Sequence, residues 1–474
     1  MALDINDLVA AWPGDEAEET PQYALQELIQ KLSQKKVPVG ALNRLWVMGS
    51  LQAKIAVSYL AHWMKASLSD QEKKEQLRNE THMKAALKLL GGMGYLRGAV
   101  MKVGQLLANY PEVMPEQFVD VLGRLHFEAP PMHFSLLREF VRNELGANPE
   151  ELFDAFETQA FAAASLGQVH RARLKGKGTR VAVKIQYPNI ARTIHDDFKN
   201  MKAMIFPMRL HPDWDSLHDQ FDDIRLMLDM EVDYEKEAKN MQIGRAAFTE
   251  SDEIVVPKVF PELSTSRVLT MEYLEGTHMD KYLAGKPDAA DRDRFGFLIA
   301  KSAFRLMYRS RMLHCDPHPG NYIFMPDGRL GFIDFGSCRH FEKQELEMTE
   351  GVERAMLKWN PDLPVSEELM DAMSLAIDEE GSKRDDKDRI ELSCEFCNWA
   401  WAPLNMDGPF DFSELDYFKQ GVRIYGELLK KRYIRSRPVN TWMTKSIYGV
   451  RALLTRLRAR VEFRKAWQEE TRVR

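Results

Sequence analysis

The segment from His314 to Gly336 constrains the fold of this chain more than any other. It reads HCDPHPGNYIF, then PDG, then LGFIDFG after one intervening residue, so turn-forming residues alternate with two short apolar runs. This pattern predicts a loop, a strand, a tight turn and a second strand. Asp316 and Asn321 lie in the loop and Asp334 ends the second strand, so the hairpin would bring their side chains together.

Three oxygen-bearing side chains in this arrangement suit a magnesium ion bound to phosphate. Hard cations prefer carboxylate and amide oxygens. In kinase phosphoryl transfer a loop Asp accepts the hydroxyl proton, while an Asn and the Asp of a D-F-G hold metal. The spacing therefore predicts Asp316 as the catalytic base and Asn321 and Asp334 as metal ligands, with a polar turn capped by Asx side chains as the alternative. No Cys or carboxylate completes a zinc set around His314 and His318, which favours loop structure for both.

A second motif precedes the hairpin along the chain. The runs FAAASLGQVHRARL and TRVAVKIQYP flank a KGKG turn, which predicts a pair of strands. Lys184 lies among apolar neighbours on the second strand, so it either points outward or reaches a phosphate. The run AAASLGQV matches a glycine-rich phosphate loop with two glycines replaced by alanine, its pattern positions being Ala162, Ala164, Gly167 and Val169. Alanine keeps the backbone donors but restricts φ, so the alternative is an ordinary turn; the spacing to Lys184 favours a phosphate cover.

An acidic partner for this lysine is expected in the run MEVDYEKEAKNM. It places Glu231, Asp233, Glu235 and Glu237 in one helical stretch. Glu231 and Glu235 share one face, and Asp233 and Glu237 share another. Acidic runs are usually solvated, but the apolar IRLML before this one indicates a packed helix, so one of these acids would point inward.

The run MKVGQLLAN carries a further polar pair. Lys102 and Gln105 lie three residues apart on an apolar helix, with Gly104 between them allowing close approach. Polar residues on the buried side of such a helix need partners. The alternative is a partly buried surface helix without a functional role.

Composition and charge narrow the class of protein. The 474 residues are 45% hydrophobic and 29% charged, as in soluble globular proteins. The N-terminus lacks a signal-peptide pattern, and no apolar run is long enough to span a membrane. The four cysteines, two of them in CEFC on an apolar helix face, are expected to be reduced thiols in a cytoplasmic protein.

The charge is unevenly distributed. The net charge of −6 argues against nucleic-acid binding, but residues 421–474 contain fifteen Lys or Arg and four Asp or Glu. Such a segment is either a solvated basic helix or a surface for an anionic partner such as lipid headgroups. An apolar stripe of Ile447, Val450, Leu454, Leu457 and Val461 runs beside Arg451, Arg458 and Arg464. The stripe either packs on a helical lobe or makes peripheral contact with the inner membrane.

Together these motifs resemble the UbiB/AarF family of atypical protein-kinase-like proteins, from about Val37 to the C-terminal region. The K-x-G-Q motif is Lys102, Gly104 and Gln105, and the E-x-D motif is Glu231 and Asp233. The alanine-rich loop and the catalytic and D-F-G motifs complete the family set. The resemblance implies that the K-x-G-Q and E-x-D motifs meet near the nucleotide.

The resemblance also implies the architecture, an α+β fold with the two lobes of a protein kinase. Residues 1–150 would be an N-terminal helical extension that covers the cleft, 151–275 an N-lobe with a helical insert, and 276–474 a largely helical C-lobe. Lys184 would pair with Glu237, and the backbone from Glu272 to Leu274 would read adenine. The change of pattern along the chain itself predicts about five strands followed by a helical unit with one polar hairpin.

The function implied by the resemblance is an Mg²⁺-dependent ATPase or small-molecule kinase that binds ATP or ADP. The family is tied to ubiquinone and other isoprenoid-lipid metabolism, so a quinone-like or lipid substrate and lipid-biosynthetic protein partners are expected. No A-P-E follows the D-F-G, and SCRHFEKQELEM is predicted to run directly into a helix. This departure argues against phosphorylation of proteins. The alternative is a nucleotide-binding scaffold or chaperone that needs no turnover.

Overall fold

The computed structural model describes residues 132–195, 225–358, 386–433 and 438–471, apart from positions 165, 189, 193, 227 and 432. The predicted extension with Lys102 and Gln105 lies outside these residues. The chain divides into two compact units, one formed by residues 1–133, 160–168 and 186–229 and the other by residues 134–159, 169–185 and 230–474. The domain boundaries at 150 and 275 stay a prediction.

Helices dominate the second half of the chain. The helices that form the core and the site are α1 (Phe134–Leu145), α2 (Pro149–Leu152), α3 (Tyr234–Ala247), α4 (Met279–Ala284), α5 (Ala289–Ser310), α6 (Lys343–Lys358), α7 (Lys387–Asn405), α8 (Leu415–Lys430), α9 (Pro438–Leu457) and α10 (Phe463–Thr471). Asp288 caps α5 by accepting a hydrogen bond from the Asp291 N–H, and Arg311 ends it in the left-handed conformation. No described helix combines the length and apolarity needed to cross a membrane.

The strands of the described residues form four small sheets. They are β1 (Phe153–Phe156), β2 (Ala162–Ala164), β3 (Gly167–Leu174), β4 (Arg180–Gln186), β5 (Ile254–Val255), β6 (Val268–Glu272), β7 (Met312–His314), β8 (Tyr322–Phe324), β9 (Leu330–Phe332), β10 (Cys338–His340), β11 (Phe410–Asp411) and β12 (Arg460–Val461). The largest sheet has the order β1–β3–β4–β6, and β2 also pairs with β3. The KGKG turn joins β3 to β4 with Gly176 and Gly178 at φ of 67° and 65°, values that favour glycine.

The predicted hairpin is present as β8 and β9. The two strands are antiparallel with Tyr322 opposite Phe332, and β5 adds in parallel to β9. The prediction that the chain passes from the D-F-G directly into a helix is wrong. Residues Cys338–His340 first form β10, which pairs with β7 so that Cys338 lies opposite His314. A three-residue strand is too short to show an alternating pattern in the sequence.

The apolar C-terminal stripe packs into the main core, which is one of the two alternatives drawn from the sequence. Val450, Leu454, Leu457 and Val461 are buried in the cluster that surrounds α5, whereas Ile447 is 37% exposed. Close packing is aided by Gly296 on α5, where a Cβ would come within 2.7 Å of the Ala459 Cβ. The stripe therefore contributes to folding through burial of apolar surface.

Candidate functional site

Lys184 is the centre of a buried ion-pair cluster. Its Nζ, on β4, is 2.8 Å and 2.9 Å from the two carboxylate oxygens of Glu237 on α3. The same atom is 3.3 Å from Asp334 Oδ2 and 4.9 Å from the centre of the Tyr234 ring. Lys184 and Glu237 are 8% and 1% exposed. The pairing of these two residues that the resemblance implied is present, and their catalytic roles stay a prediction.

Burial and charge oppose each other in this cluster. Burial disfavours the charge of Lys184, but the carboxylates of Asp334 and Glu237 outweigh burial and raise the pKa of Lys184 well above its usual value. Burial also disfavours the charge of Asp334, yet Lys184 and the Gly336 N–H lower the pKa of Asp334. Burial raises the pKa of Glu237 to about 7, and Lys184 opposes that rise. Above neutral pH the cluster is thus an ammonium between carboxylates.

Helix α3 also positions the D-F-G segment. Phe335 is fully buried, and its ring lies against Gly244, where a Cβ would come within 2.5 Å of Phe335 Cε1. On the same helix, Asn240 Nδ2 donates a hydrogen bond of 3.1 Å to the Phe335 carbonyl. One helix therefore holds both the glutamate partner of the lysine and the backbone next to Asp334.

The loop between β7 and β8 brings Asp316 and Asn321 to the same region. Asn321 Nδ2 donates to the backbone carbonyl of Asp316 over 2.8 Å. The backbone carbonyl of Asn321 accepts from the Ile333 N–H over 3.0 Å. Ile333 is adjacent to Asp334. Burial and the negative charge of Asp316 both work to raise the pKa of Asp334. The hairpin thus holds Asn321 against the backbone of Asp316 and beside the residue that precedes Asp334.

The two histidines of this loop have structural contacts, as the sequence favoured. His314 is buried, burial lowers its pKa, and its Nε2 is 3.0 Å from the Asp334 carbonyl. His318 Nδ1 accepts from the Gly320 N–H over 3.1 Å. The His318 ring therefore orders the loop after Asp316, and the His314 ring contacts the backbone at Asp334.

A magnesium ion fits the donor set of this region. Among the described residues, no three His, Cys, Asp or Glu side chains could hold a metal by themselves. The side chain of Asp334 is 34% exposed. The hydrogen bond to Asp316 uses the side-chain nitrogen of Asn321, so its side-chain oxygen Oδ1 is the atom that could bind a metal. One carboxylate and one amide oxygen suit Mg²⁺ when phosphate oxygens complete its shell. The metal roles of both residues stay a prediction.

The E-x-D motif lies beside the D-F-G segment. Ser337 Oγ donates a hydrogen bond of 3.3 Å to Glu231 Oε1. Asp233 caps α3, because its Oδ1 accepts from the Lys236 N–H over 3.2 Å. The predicted partners of both acids, in the K-x-G-Q motif, lie outside the described residues.

The remaining predicted residues lie in the five-stranded sheet. Ala162 and Ala164 belong to β2, and Gly167 and Val169 belong to β3. Residues 160–168 fall in the first compact unit, and their role as a phosphate cover stays a prediction.

The proposed adenine-reading segment begins at Glu272, the last residue of β6. The Glu272 N–H donates to the Lys258 carbonyl over 2.8 Å, and the Tyr273 N–H donates to the Arg180 carbonyl over 3.1 Å. These two bonds fix the backbone just before Leu274. Recognition of adenine by this backbone stays a prediction.

Two residues near the site were missed in the sequence. The Nζ of Lys445, on α9, is 3.5 Å from Asp316 Oδ1, and the ring of Tyr234 faces Lys184. Lys445 is the only charged residue between positions 438 and 450. That isolation was a signal in the sequence, but no local pattern places α9 next to the loop.

The chain is similar to known proteins over this region. The model of the family described as "ABC1 atypical kinase-like domain" matches residues 124–358. Protein ACTIVITY OF BC1 COMPLEX KINASE 8, chloroplastic, from Arabidopsis thaliana is 35% identical over 247 residues, which are 50% of this chain and 32% of that protein. Atypical kinase COQ8B, mitochondrial, from Danio rerio is 29% identical over 324 residues, which are 67% of this chain and 51% of that protein. The chain thus spans a third to a half of the length of these relatives.

A solved structure has a similar fold. The Rv3197–erythromycin complex from Mycobacterium tuberculosis aligns with a TM-score of 0.56 and 28% sequence identity, over 84% of this chain and 98% of that chain. The mixed helix-and-sheet fold and the lysine–glutamate pair beside a D-F-G agree with the family match. The chain therefore contains an ABC1 atypical kinase-like domain at residues 124–358, in agreement with the UbiB/AarF family that its motifs resemble.

Proposed function

We propose that the protein binds ATP with Mg²⁺ and either hydrolyses it or transfers its γ-phosphoryl group to a small, lipid-like acceptor. The observation that carries this proposal is the contact of Lys184 with both Glu237 and Asp334, beside the loop that bears Asp316. A buried ammonium held by a helix glutamate is the element that orients ATP phosphates in kinases.

Each residue of the site then has a defined task. Lys184 contacts the phosphates, and Glu237 keeps the ammonium in place. The acceptor oxygen bonds to the γ-phosphorus as the bond to the ADP oxygen breaks, and the acceptor proton moves to the Asp316 carboxylate. Asn321 and Asp334 would hold Mg²⁺, which neutralises charge on the phosphate oxygens when it is bound.

The chain after the D-F-G supports a small acceptor in preference to a protein. β10 ends at His340 and α6 begins at Lys343, so two residues join them, and in this fully described stretch no long segment is present on which a peptide could dock. We propose a quinone-like or other isoprenoid-lipid pathway, in line with the family that the motifs resemble. The acceptor would then be met at a membrane surface or on a lipid-biosynthetic enzyme.

The test is ATP turnover by Asp334→Asn. Purified wild-type protein should hydrolyse ATP in the presence of Mg²⁺ and a phenol-like or lipid activator, and the variant should lose at least about 100-fold in rate because a metal ligand and a partner of Lys184 are lost. Asp327→Asn is the matched control, because Asp327 is an exposed aspartate in the turn of the same hairpin and should leave turnover unchanged. Turnover by Asp334→Asn at the wild-type rate would refute the proposal.

A scaffold without essential turnover is the second candidate, favoured by the alanines at positions 162 and 164. Alanine in a phosphate loop restricts the backbone that would contact the γ-phosphate. A deletion strain complemented with Asp316→Asn separates the two functions. Quinone levels restored by this variant would support the scaffold, whereas levels as low as those of the deletion would support phosphoryl transfer.

A further inference from the structure

The loop that carries the proposed base has no positive charge of its own. Between Asp316 and Asn321 it reads PHPG, without lysine or arginine. Transfer of a γ-phosphoryl group places negative charge close to the base carboxylate, and a fixed cation there stabilises the transition state. A cation that offsets the negative charge near Asp316 must therefore come from another element of the fold.

Helix α9 brings such a cation to the loop. Lys445 Nζ is 3.5 Å from Asp316 Oδ1, and its side chain is 20% exposed against 34% for Asp316. This distance is that of an ion pair and is longer than a charge-assisted hydrogen bond. The neighbours Trp442 and Ser446 are buried, so α9 is anchored on both sides of the lysine.

The close approach of α9 to the loop depends on a glycine. Gly449 lies one turn after Lys445 on α9, and a Cβ at this position would overlap Pro317 Cγ. Pro317 directly follows Asp316 and is rigid because its ring fixes φ. Contact of a helix glycine with a loop proline thus sets the distance between the Lys445 ammonium and the Asp316 carboxylate.

We propose that Lys445 is a positioning residue of the phosphoryl-transfer site. Its ammonium is the positive charge that the loop lacks, and it acts by holding the Asp316 carboxylate toward the acceptor. This inference rests on the proposed function. Lys184 and Lys445 then belong to two different elements, β4 and α9. The first keeps the phosphates in place, and the second keeps the base in place.

The experiment compares Lys445→Met and Lys445→Arg for ATP turnover, KM for ATP and Tm. Lys445→Met should lower kcat about 10- to 100-fold with an unchanged KM, because it acts on the base and not on nucleotide binding. Lys445→Arg retains the charge and should recover most of the rate. Tm should stay within the small range expected for loss of a partly exposed ion pair. Lys419→Met, an exposed lysine on α8, is the matched control and should behave as wild type.

A double mutant separates positioning from a merely structural contact. Since Lys445 acts through the carboxylate of Asp316, Lys445→Met should cause little further loss in an Asp316→Asn background. Equal losses in both backgrounds, or a wild-type kcat for Lys445→Met, would overturn the inference. A fall in the Tm of Lys445→Met without recovery of kcat by arginine would also overturn it.

A second variant tests the position of α9 without changing any charge. Gly449→Ala should move the helix from Pro317 and lower kcat, while Gly426→Ala on α8, where a Cβ has open space, should not. Failure of the proposed function would appear as equal rates for wild type and Asp334→Asn. Failure of this inference alone would preserve that difference and abolish only the effects of Lys445 and Gly449.

Discussion

Two buried glutamates of this protein share nearly the same acidity but differ in their partners. Burial raises the pKa of Glu237, on α3, to about 7, and burial raises that of Glu353, on α6, to about 7 as well. Glu237 has both oxygens within 2.9 Å of the Lys184 ammonium. Glu353 accepts hydrogen bonds from two neutral donors, the Tyr308 hydroxyl and, over 3.3 Å, Trp467 Nε1.

The difference shows that burial alone does not identify a functional carboxylate. An ammonium at Glu237 creates a charged pair that can act on a third group, and Asp334 is that group at 3.3 Å from the same Nζ. The neutral donors at Glu353 form hydrogen bonds with both carboxyl oxygens and link α5, α6 and α10. This arrangement contains no ammonium that could bind a ligand. A perturbed pKa becomes a functional signal only together with a specific charged partner in a cleft.

Removal of the Lys184 ammonium should have the largest effect, because it leaves Glu237, like Glu353, without a cationic partner. Lys184→Met leaves Glu237 and Asp334 without their cation, and breaking a buried pair in this way costs about 3–5 kcal/mol. We expect a marked fall in the free energy of unfolding measured with urea at pH 8, and loss of ATP turnover. At lower pH the stability should partly recover, because protonation of Glu237 removes the unpaired charge.

The double variant Lys184→Met/Glu237→Gln sharpens this comparison. It removes one of the two unpaired acids, so the free energy of unfolding should rise above that of Lys184→Met while turnover stays absent. Lys239→Met, an exposed lysine on the same helix, is the control. A Lys184→Met protein as stable as wild type at pH 8 would contradict the view that the pair is buried and charged.

Much of the region around the Lys184–Glu237 pair could be predicted from the sequence, because short local patterns identify its strands and turns. Lys184 lies on an apolar strand, and Asp334 follows the second strand of a hairpin whose turn residues are explicit. Glu237, by contrast, was one of four acids in a run predicted as one helical stretch, and only the resemblance selected it. That prediction is wrong for Glu231, because the helix is interrupted before Asp233, the N-cap of α3. Helical spacing identifies the residues that share a face, but it cannot identify the face that is buried.

The region around Glu353 and the contact made by Lys445 could not be predicted, because both depend on tertiary packing. Glu353 and Trp467 are far apart in the chain and meet only because α6 and α10 both pack near α5. Lys445 reaches Asp316 because α9 lies across the loop. β7 and β10 were missed for the same reason, since pairing with a distant segment defines them.

An intermediate effect is expected when a side chain is added next to the Lys184–Glu237 pair without changing the charge of either residue. Gly244→Ala places a methyl group where the Phe335 ring lies, 2.5 Å from its Cε1. Overpacking of this kind costs about 1–3 kcal/mol, and displacement of Phe335 should also lower turnover through Asp334. Differential scanning calorimetry and an ATPase assay measure the two effects.

The matched control for this glycine lies beside the other glutamate. Gly351 on α6 has open space around its Cβ position, so Gly351→Ala should raise stability by up to about 1 kcal/mol through helix propensity and leave turnover unchanged. Equal behaviour of the two alanine variants would show that Phe335 does not depend on Gly244 for its position.

The smallest effect is a change in the pH dependence of stability at the second glutamate. The pKa of Glu353 is about 7 in the folded protein against an ordinary value of 4.5, so its contribution to stability is full below about pH 4.5 and is lost as the pH rises toward 7. Gln cannot ionise, so the Tm of Glu353→Gln relative to wild type should rise between pH 5 and 8. Glu347→Gln, an exposed position on the same helix, should show no such trend. A Tm difference for Glu353→Gln that stays constant with pH would mean that Glu353 is ionised throughout this range, and that its two neutral donors outweigh the effect of burial on its pKa.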